Sequence, residues 1–589
     1  MKKFLDLISE EMQKAFEEAG YDKDLGRVTL SNRPDLCEYQ CNGAMAGAKL
    51  YKKAPMMIAS DVALKCQDSP IFSEAEAIAP GFLNLRVKEE FVAKYLMEMA
   101  KDAKFGLDMP AKPAKILVDY GGPNVAKPLH IGHLRSGVIG ESIKRIAKYA
   151  GHDVIGDIHL GDWGLPMGLV ITELQQRKPD LVYFDETFQG EYPQEAPFTI
   201  SELEEIYPVA SNKSKEDAAY KERAMEATYK LQSGVRGYRA LWNHIIQVSV
   251  TDLKRNYENL DISFDLWNGE SNVHDLIPGM VDYMKKNGYA YISEGALVVD
   301  VKEETDTKEV PPCMILKSDG AALYHTTDLA TIMDRMSEYH PDRLIYLTDK
   351  RQDLYFEQVF RCARKTGLVE PETDLLHIGF GTMNGKDGKP FKTRDGGVMR
   401  LETLISDINE EMYRKITDNR ENENDEEARR TAKIVALSAI KYGDLSNQAA
   451  KDYIFDIDKF TSFEGDTGPY ILYTIVRIKS ILGKIKSQGN ILETAQLREA
   501  QSDAEKALML EITGFNTTME SAYKETAPHK ICAYIYNLSN AFNRFYHETK
   551  IVTEEDAEKK AGWVALLMLT RDILETCIDV LGFSAPEKM

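Results

Sequence analysis

Two histidines separated by an isoleucine and a glycine, His130-Ile131-Gly132-His133, form the segment of this chain best suited to bind a nucleotide. Two imidazole rings on the first turn of a helix can both face a triphosphate, because helix N-terminal amides and the helix dipole favour phosphate there. Gly132 between them lets a nucleotide approach the backbone closely. The tetrapeptide alone leaves open a simpler alternative, a pair of histidines on a helix surface.

The flanking sequence predicts the strand, turn and helix that would position these histidines. Ile116-Leu117-Val118 predicts a buried strand, Gly121-Gly122 a turn, and a helix with one apolar face runs from about Gly132 to Gly151. Asp153-Val154-Ile155 begins the next strand, so the segment is a βαβ unit of a parallel sheet. Open α/β sheets bind ligands where a strand turns into a helix, which is the place these histidines occupy.

The length of the chain predicts three domains, because 589 residues exceed what one hydrophobic core usually organises. Residues 1–110 predict a small mixed α+β domain that ends in a proline-rich linker. Residues 111–400 carry the alternation of strands and helices, interrupted by a polar helical insertion at about 172–240. Residues 401–589 have helical periodicity almost throughout.

Composition and charge exclude several classes of protein. Hydrophobic residues make up 43% of the chain and charged residues 28%, which is typical of a globular protein, and no apolar run is long enough to span a bilayer. Asp6 and Glu10 interrupt any signal-peptide core, so we expect a cytoplasmic protein. The net charge of −21 argues against indiscriminate binding of nucleic acid but not against a specific RNA. The seven scattered cysteines predict reduced thiols rather than a zinc site.

The extended segment around the histidines resembles one family. His130-Ile131-Gly132-His133 is the signature of class I aminoacyl-tRNA synthetases. The preceding Pro123-Asn124-Val125-Ala126-Lys127-Pro128 and the following Leu134-Arg135-Ser136 are similar to those of the arginyl-tRNA synthetase family. The resemblance continues along nearly the whole chain, in the segments 159–164, 35–42, 464–470 and 581–589.

This resemblance implies a fold and a role for each domain. The expected architecture is a doubly wound, Rossmann-type class I catalytic domain in residues 111–400. The α+β domain of residues 1–110 would be an additional tRNA-binding domain, and the all-α domain of residues 401–589 would bind the anticodon.

The resemblance also implies an arginine-binding pocket. A guanidinium needs planar acceptors, ideally carboxylates that bind its fork in two places. Glu270 and Asp328 lie in segments similar to arginine-binding elements of the family, and Asn124, Tyr324 and Gln352 complete the implied pocket. Tyr324 and Asp328 are four residues apart, so a helix would place them on one face. Without the resemblance, Glu270 and Asp328 would be interpreted as ordinary surface acids.

A lysine-rich loop follows the run Leu375–Ile378, which predicts a late strand of the sheet. Gly385-Lys386-Asp387-Gly388-Lys389-Pro390-Phe391-Lys392-Thr393-Arg394 takes the place of the second class I signature, but it departs from the usual Lys-Met-Ser-Lys-Ser. A cationic loop can stabilise a triphosphate as charge develops during displacement. The altered pattern leaves open whether Lys389 or Lys392 matters more, and Lys127 could supply part of the charge. A solvated hairpin turn is the alternative.

The implied reaction is the ligation of L-arginine to tRNA(Arg). The arginine carboxylate attacks the α-phosphorus of ATP, pyrophosphate leaves, and the activated arginine passes to the terminal adenosine of the tRNA with release of AMP. Catalysis would rest on positioning and charge stabilisation. The implied catalytic residues are His130, His133, Lys127, Lys389 and Lys392, and the implied ATP-binding residues are His130, Gly132, His133 and Lys392. We expect Mg²⁺ to arrive with ATP, which supplies most of its ligands, so no protein metal motif is required.

The contacts with tRNA follow from the same resemblance. The N-terminal domain would touch the tRNA elbow, and the C-terminal helices would read the anticodon. Tyr470, Tyr473 and Arg477 are candidate contacts, because splayed bases stack on aromatic rings and guanidinium planes. Packing between helices explains the tyrosines equally well. Similar enzymes are usually monomers and need bound tRNA before they activate arginine, and we expect both properties here.

Two other functions remain to be distinguished. A nucleotidylyltransferase with a His-x-Gly-His motif would share the core, but it would need neither the long helical C-terminal region nor the acids Glu270 and Asp328. A non-catalytic tRNA-binding paralogue would be free to lose the histidines and the lysine loop, yet both are present.

Overall fold

A computed structural model provides the fold and describes residues 1–127, 129–389, 399–418, 425–489 and 495–589. The chain divides into two compact units. The terminal unit comprises residues 1–109, 463–579 and 584–589, and the central unit comprises residues 110–462 and 580–583. Within the described ranges, no helix combines the length and apolar character that crossing a membrane requires.

The N-terminal part of the terminal unit is a four-stranded antiparallel sheet with helices. Its elements are α1 Phe4–Glu18, β1 Val28–Leu30, β2 Tyr39–Cys41, α2 Gly43–Tyr51, α3 Pro55–Lys65, β3 Phe72–Ile78, β4 Phe82–Val87 and α4 Glu89–Lys101, with strand order β1-β2-β4-β3. Helix α1 buries Phe4, Ile8, Met12 and Phe16 at helical spacing. Each such side chain stabilises the fold by about 1.5–3 kcal/mol relative to exposure. This part is the predicted α+β region.

The central unit alternates strands and helices. Its elements are β5 Lys115–Asp119, α5 Ile131–Tyr149, β6 Asp153–Asp157, α6 Leu165–Arg177, α7 Ile200–Glu216, α8 Ala218–Gln232, α9 Arg236–Glu258, α10 Glu270–Val273, α11 Ile277–Lys286, β7 Ala290–Ser293, β8 Ala296–Val299, β9 Cys313–Leu316, α12 Tyr324–Tyr339, β10 Arg343–Asp349, α13 Asp353–Lys365, β11 Asp374–Phe380, β12 Met383–Asn384, α14 Leu401–Thr417, α15 Asp425–Leu445, β13 Tyr453–Ile454 and α16 Ile457–Phe460.

The main sheet of the central unit is parallel, with strand order β11-β10-β5-β6. Leu117 on β5 and Leu344 and Tyr346 on β10 are buried in one apolar core with Leu329 of α12. The predicted βαβ unit is confirmed, because β5, α5 and β6 follow in that order and β5 pairs with β6 in parallel. Parallel strands present their carboxyl ends at one edge, so the loops after β5, β6 and β10 come together there.

The remaining elements of the central unit add smaller structures to this sheet. Strands β7, β8 and β9 form an antiparallel sheet, and β12 and β13 form a short parallel pair. Helices α6 to α8 pack together, and buried Glu173 of α6 accepts hydrogen bonds from Lys213 of α7 and Tyr220 of α8. Removal of either donor would leave a buried carboxylate undersatisfied, so these contacts fix the packing of the three helices.

The C-terminal part of the terminal unit is helical, as predicted. It consists of α17 Gly468–Lys486, α18 Asp503–Thr513, α19 Phe515–Lys524, α20 His529–Glu548 and α21 Ala557–Val580. Within the unit, Lys506 of α18 donates to the carbonyl of Val87 at 2.6 Å and pairs with Glu38 at 2.7 Å. The first and last parts of the chain therefore share one compact unit. All seven cysteines are buried, and none of them forms a disulfide.

Candidate active site

The two histidines cap the start of α5. The backbone N–H of Gly132 donates to Nδ1 of His130 at 3.1 Å, and the backbone N–H of His130 donates to Nδ1 of His133 at 3.2 Å. The two ring centroids are 4.0 Å apart. These bonds satisfy amides that the first turn of a helix leaves unpaired. The two hydrogen bonds that cap the start of α5 therefore also fix the orientation of the two imidazole rings.

Both histidines are in the neutral form, with the proton on a defined nitrogen. Burial lowers the pKa of His130, and the charge of Lys127 adds to this effect. Burial also lowers the pKa of His133 to about 3, with His130 and Lys127 contributing. Because each Nδ1 accepts a hydrogen bond, each Nε2 carries the proton. The pair thus presents two neutral N–H donors next to a cation, an arrangement suited to phosphate oxygens.

Two cations flank the histidines, and helix α7 contacts both of them. Nζ of Lys127 lies 4.2 Å from the centre of the Tyr207 ring. Arg400 pairs with Glu204 at 2.7 Å, and burial raises the pKa of Glu204. The backbone at Arg400 forms an antiparallel β-bridge with the backbone at His130. A single helix of the region between β6 and α10 therefore contacts both cations beside the histidines.

Three chain segments run side by side beyond the carboxyl ends of β5 and β6. The backbone at Asn124 forms a parallel β-bridge with the backbone at Gly161, and Leu160 forms another with Gly269. A Cβ atom at Gly161 would lie 2.1 Å from Oδ1 of Asn124, so only glycine fits beside that amide. The same pairing places Glu270, directly after Gly269, beside the segment that follows β6.

Glu270 and Asp328 form a shielded carboxyl pair. Burial, together with the neighbouring carboxyls of Asp162 and Asp328, raises the pKa of Glu270 to about 8. Burial also raises the pKa of Asp328, although the phenol of Tyr355 donates a hydrogen bond to its Oδ2. Among the described lysines and arginines, none forms an ion pair with Glu270. Carboxyls in this state favour a cationic ligand, because its charge would stabilise their ionised form.

The other predicted pocket residues lie at different depths. Tyr324 begins α12 one turn before Asp328 and is 67% exposed. Partial burial of its phenol and the charge of nearby Glu270 raise the pKa of Tyr324. Gln352 ends a short 3-10 turn directly before α13, and its side chain is exposed. The structure therefore groups Glu270, Asp328 and Tyr324, with Asn124 on the adjoining segment, and places Gln352 at the surface of the same edge.

A buried ion-pair cluster fixes α12 beneath the pocket. Nη2 of Arg335 donates to Asp119 and Asp157 at 2.6 Å each, and Arg335 is 2% exposed. These carboxylates end β5 and β6, and His159 lies close enough that the three side chains have the spacing of a metal cluster. The guanidinium already supplies the positive charge there. Because Arg335 and Asp328 lie two turns apart on α12, this cluster sets the position of Asp328.

The lysine-rich loop 385–394, called the lysine segment below, is described only as far as Lys389. Lys389 is exposed, its backbone N–H donates to Asp387 at 3.1 Å, and its carbonyl accepts from Gly385 at 2.8 Å in a tight turn. Lys386 pairs with Asp456 at 3.1 Å and Asp458 at 3.2 Å. Lys392 lies outside the described residues.

The candidate anticodon residues occupy one face of α17 against α20. Tyr470 donates to Asn540 at 2.7 Å, and Arg477 donates to Asn543 at 2.5 Å. The Arg477 guanidinium also lies 4.7 Å from the centre of the Tyr473 ring, which is 41% exposed. Tyr470 therefore packs between helices, whereas Tyr473 presents an exposed ring with the half-buried guanidinium of Arg477 beside it.

Sequence reasoning missed several side chains of the site. Tyr355, Asp162, Tyr207, Glu204 and Arg400 contact or perturb predicted residues. Tyr355 follows Gln352 by one helical turn, so the helical spacing of α13 could have pointed to it. Glu204 and Tyr207 carried no such signal, because they are distant in sequence from the residues they touch.

Models of known families cover most of the chain. The model described as tRNA synthetases class I (R), catalytic domain, matches residues 97–457. The DALR anticodon binding domain matches residues 471–589, and the arginyl tRNA synthetase N terminal domain matches residues 2–87. The three matches follow in the order that the resemblance of the sequence implied.

Individual relatives agree with the family models. The chain is 65% identical to arginine--tRNA ligase of Agathobacter rectalis and 55% identical to that of Alkaliphilus oremlandii, with 100% of each chain covered. Its fold matches arginyl-tRNA synthetases of Plasmodium falciparum (TM-score 0.79, 24% identity) and Thermus thermophilus (TM-score 0.76, 22% identity), again over 100% of each chain. The chain therefore belongs to the arginyl-tRNA synthetase family of class I enzymes and catalyses the ATP-dependent ligation of L-arginine to tRNA(Arg).

Proposed function

We propose that the carboxyl edge of the central sheet holds the two substrates of arginine activation side by side. Glu270 and Asp328 bind the guanidinium, and Asn124, Tyr324 and Gln352 complete the arginine pocket. The observation that carries this proposal is the raised pKa of Glu270, a shielded carboxyl without an ion pair to a described lysine or arginine. A bound guanidinium would restore the balance of charge at this site.

ATP occupies the histidine side of the same edge. Neutral His130 and His133 donate hydrogen bonds from Nε2 to phosphate oxygens, and Gly132 leaves room for the nucleotide. Lys127 and Lys389 offset the charge that develops on pyrophosphate. The sequence alone supports the same role for Lys392.

The first step forms one bond and breaks another. A carboxylate oxygen of arginine bonds to the α-phosphorus as the bond from that phosphorus to the pyrophosphate oxygen breaks. The site contributes position and charge rather than a covalent intermediate. In the second step the 2′-hydroxyl of the terminal adenosine attacks the arginyl carbonyl, and AMP leaves. Mg²⁺ would arrive with ATP, which would supply most of its ligands, and its charge would help to offset that of the phosphates.

The division of labour along the chain follows the family. Residues 1–110 contact the tRNA elbow, residues 111–400 carry out both chemical steps, and residues 401–589 read the anticodon. The neighbouring side chains of Tyr473 and Arg477 support the anticodon assignment, since they offer an exposed ring with a guanidinium beside it. Tyr470 acts next to them by holding α17 against α20. The protein works as a monomer, in the cytoplasm.

Calorimetric titration with L-arginine tests the pocket. Glu270→Gln and Asp328→Asn should each weaken arginine binding by about 100-fold, because each removes one partner of a shielded charge pair. Asp275→Asn is the matched control, since Asp275 is an exposed acid close to Glu270 in sequence. Unchanged arginine affinity in both pocket variants would remove the guanidinium site from Glu270 and Asp328.

A further inference from the structure

A buried arginine stands directly behind the histidine pair. Arg135 lies on α5, two residues after His133, and is 1% exposed. Its Nε pairs with Oδ1 of Asp444 on α15 at 2.8 Å, and Asp444 is fully buried. A buried ion pair is often no more stabilising than apolar side chains of the same volume. Stability alone therefore gives no reason for this pair.

A second nitrogen of the Arg135 guanidinium, Nη1, binds the backbone that precedes the lysine segment. Its Nη1 donates to the carbonyl of Gly381 at 2.7 Å and to the carbonyl of Lys451 at 3.0 Å. Gly381 directly follows β11, and Lys451 lies two residues before β13. The ring of Tyr453 lies 5.0 Å from the guanidinium carbon. Arg135 thus joins the histidine helix to two neighbouring chain segments.

Those two segments are joined to each other by backbone hydrogen bonds, and one of them leads directly into the turn that carries Lys386 and Lys389. The N–H of Gly381 donates to the carbonyl of Ala449 at 2.9 Å, and Met383 pairs in parallel with Tyr453. The ion pairs of Lys386 with Asp456 and Asp458 tie the next turn to the same side. The position of Lys389 relative to the histidines therefore depends on how these two segments are held against α5.

The residues that follow the lysine segment, 399–401, are held to the histidine segment by backbone hydrogen bonds. Ile131 donates to the carbonyl of Met399 at 3.1 Å, and Leu401 donates to the carbonyl of Leu129 at 2.9 Å. Backbone pairing fixes one end regardless of side chain. At the other end, a side chain, Arg135, makes the connection.

We propose that Arg135, held by Asp444, is a positioning residue that sets the reach of Lys389 toward the ATP phosphates beside His130 and His133. The inference rests on the proposed role of Lys389. A displacement of about 1 Å in a catalytic group can cost on the order of 100-fold in rate. Loss of Arg135 should therefore slow arginyl-adenylate formation without slowing the transfer of arginine to tRNA.

The variant Arg135→Met/Asp444→Leu tests this, because it removes both charges together and leaves neither buried alone. With tRNA supplied, ATP–pyrophosphate exchange should fall about 100-fold. Transfer from synthetic arginyl-adenylate should stay within about twofold, because that step does not use the pyrophosphate site. The control is Glu141→Gln/Lys144→Met, another buried pair on α5, which contacts Ser263 rather than the lysine segment. The control should leave both steps nearly unchanged.

Lys389→Ala separates the two proposals. If Lys389→Ala alone leaves exchange unchanged, the proposed role of Lys389 fails. If Lys389→Ala slows exchange, its effect should be much smaller in the Arg135→Met/Asp444→Leu background, because residues that act through one another are not additive. Full additivity, equal loss in both chemical steps, or normal exchange in the folded double variant would each overturn the positioning role. Arg135→Lys, which keeps the charge but loses the fork, serves if the double variant does not fold, and it should show the same selective loss of exchange.

Discussion

The raised pKa of Glu270 makes arginine binding depend on pH in a specific direction. A guanidinium pairs with the ionised carboxyl, so the free site must lose a proton before or during binding. With a pKa of about 8, roughly one Glu270 in a hundred is ionised at pH 6 and about one in ten at pH 7. The Kd for L-arginine should therefore fall about tenfold over this interval, which is about 1.4 kcal/mol. The fall should level off above pH 8, where the carboxyl is already ionised.

Calorimetry in two buffers of different ionisation enthalpy measures both quantities. We expect close to one proton released per arginine at pH 7, since Glu270 is mostly protonated before binding and ionised after it. The arginine side chain does not titrate in this range, so a proton release that disappears in Glu270→Gln comes from that carboxyl. Glu270→Gln is the control, because it cannot ionise and should bind arginine weakly with little pH dependence.

An arginine affinity that is constant between pH 6 and pH 8, with no proton released, would mean that the free site keeps Glu270 ionised. A Kd that rises with pH would contradict the sign itself, because a raised carboxyl pKa allows only tighter binding of a cation as protons leave.

Three further perturbations follow from particular contacts. Gly161→Ala should displace the side chain of Asn124 and raise the KM for arginine about tenfold, measured by exchange, with the unfolding temperature as the control for folding. Tyr355→Phe leaves Asp328 without its phenol donor and should weaken arginine binding by about 1–2 kcal/mol, measured by titration; an unchanged Kd would argue against Asp328 as a ligand. Tyr473→Leu should raise the KM for tRNA in aminoacylation by about tenfold with folding intact, and an unchanged KM would exclude stacking on this ring.

The local parts of the fold and site were predictable from sequence. The apolar run at β5, the glycine turn and the helical periodicity of α5 act over short distances, so they predict where His130 and His133 stand. The helical regions of the C-terminal part followed from the same periodicity. Glu270 and Asp328 could be identified only through resemblance, since isolated acids carry no pattern that separates a pocket from a surface.

Contacts between distant segments were not predictable in the same way. The pair Arg400 and Glu204, the link from Arg135 to Gly381 and the bond of Lys506 to Val87 each join segments far apart in the chain. Helical or strand periodicity describes which face of an element is buried, not which partner covers it. The union of the first and last parts of the chain in one unit depends on such contacts, so the sequence alone did not indicate it.

ATP–pyrophosphate exchange in the presence of tRNA, run with each amino acid on the wild-type enzyme and on Glu270→Gln, tests the central claim most directly. We expect exchange with arginine alone in the wild type, and about a 100-fold lower kcat/KM for arginine in Glu270→Gln, with the KM for ATP unchanged. Normal arginine-dependent exchange in a folded Glu270→Gln enzyme would contradict the claim that this carboxyl recognises the guanidinium.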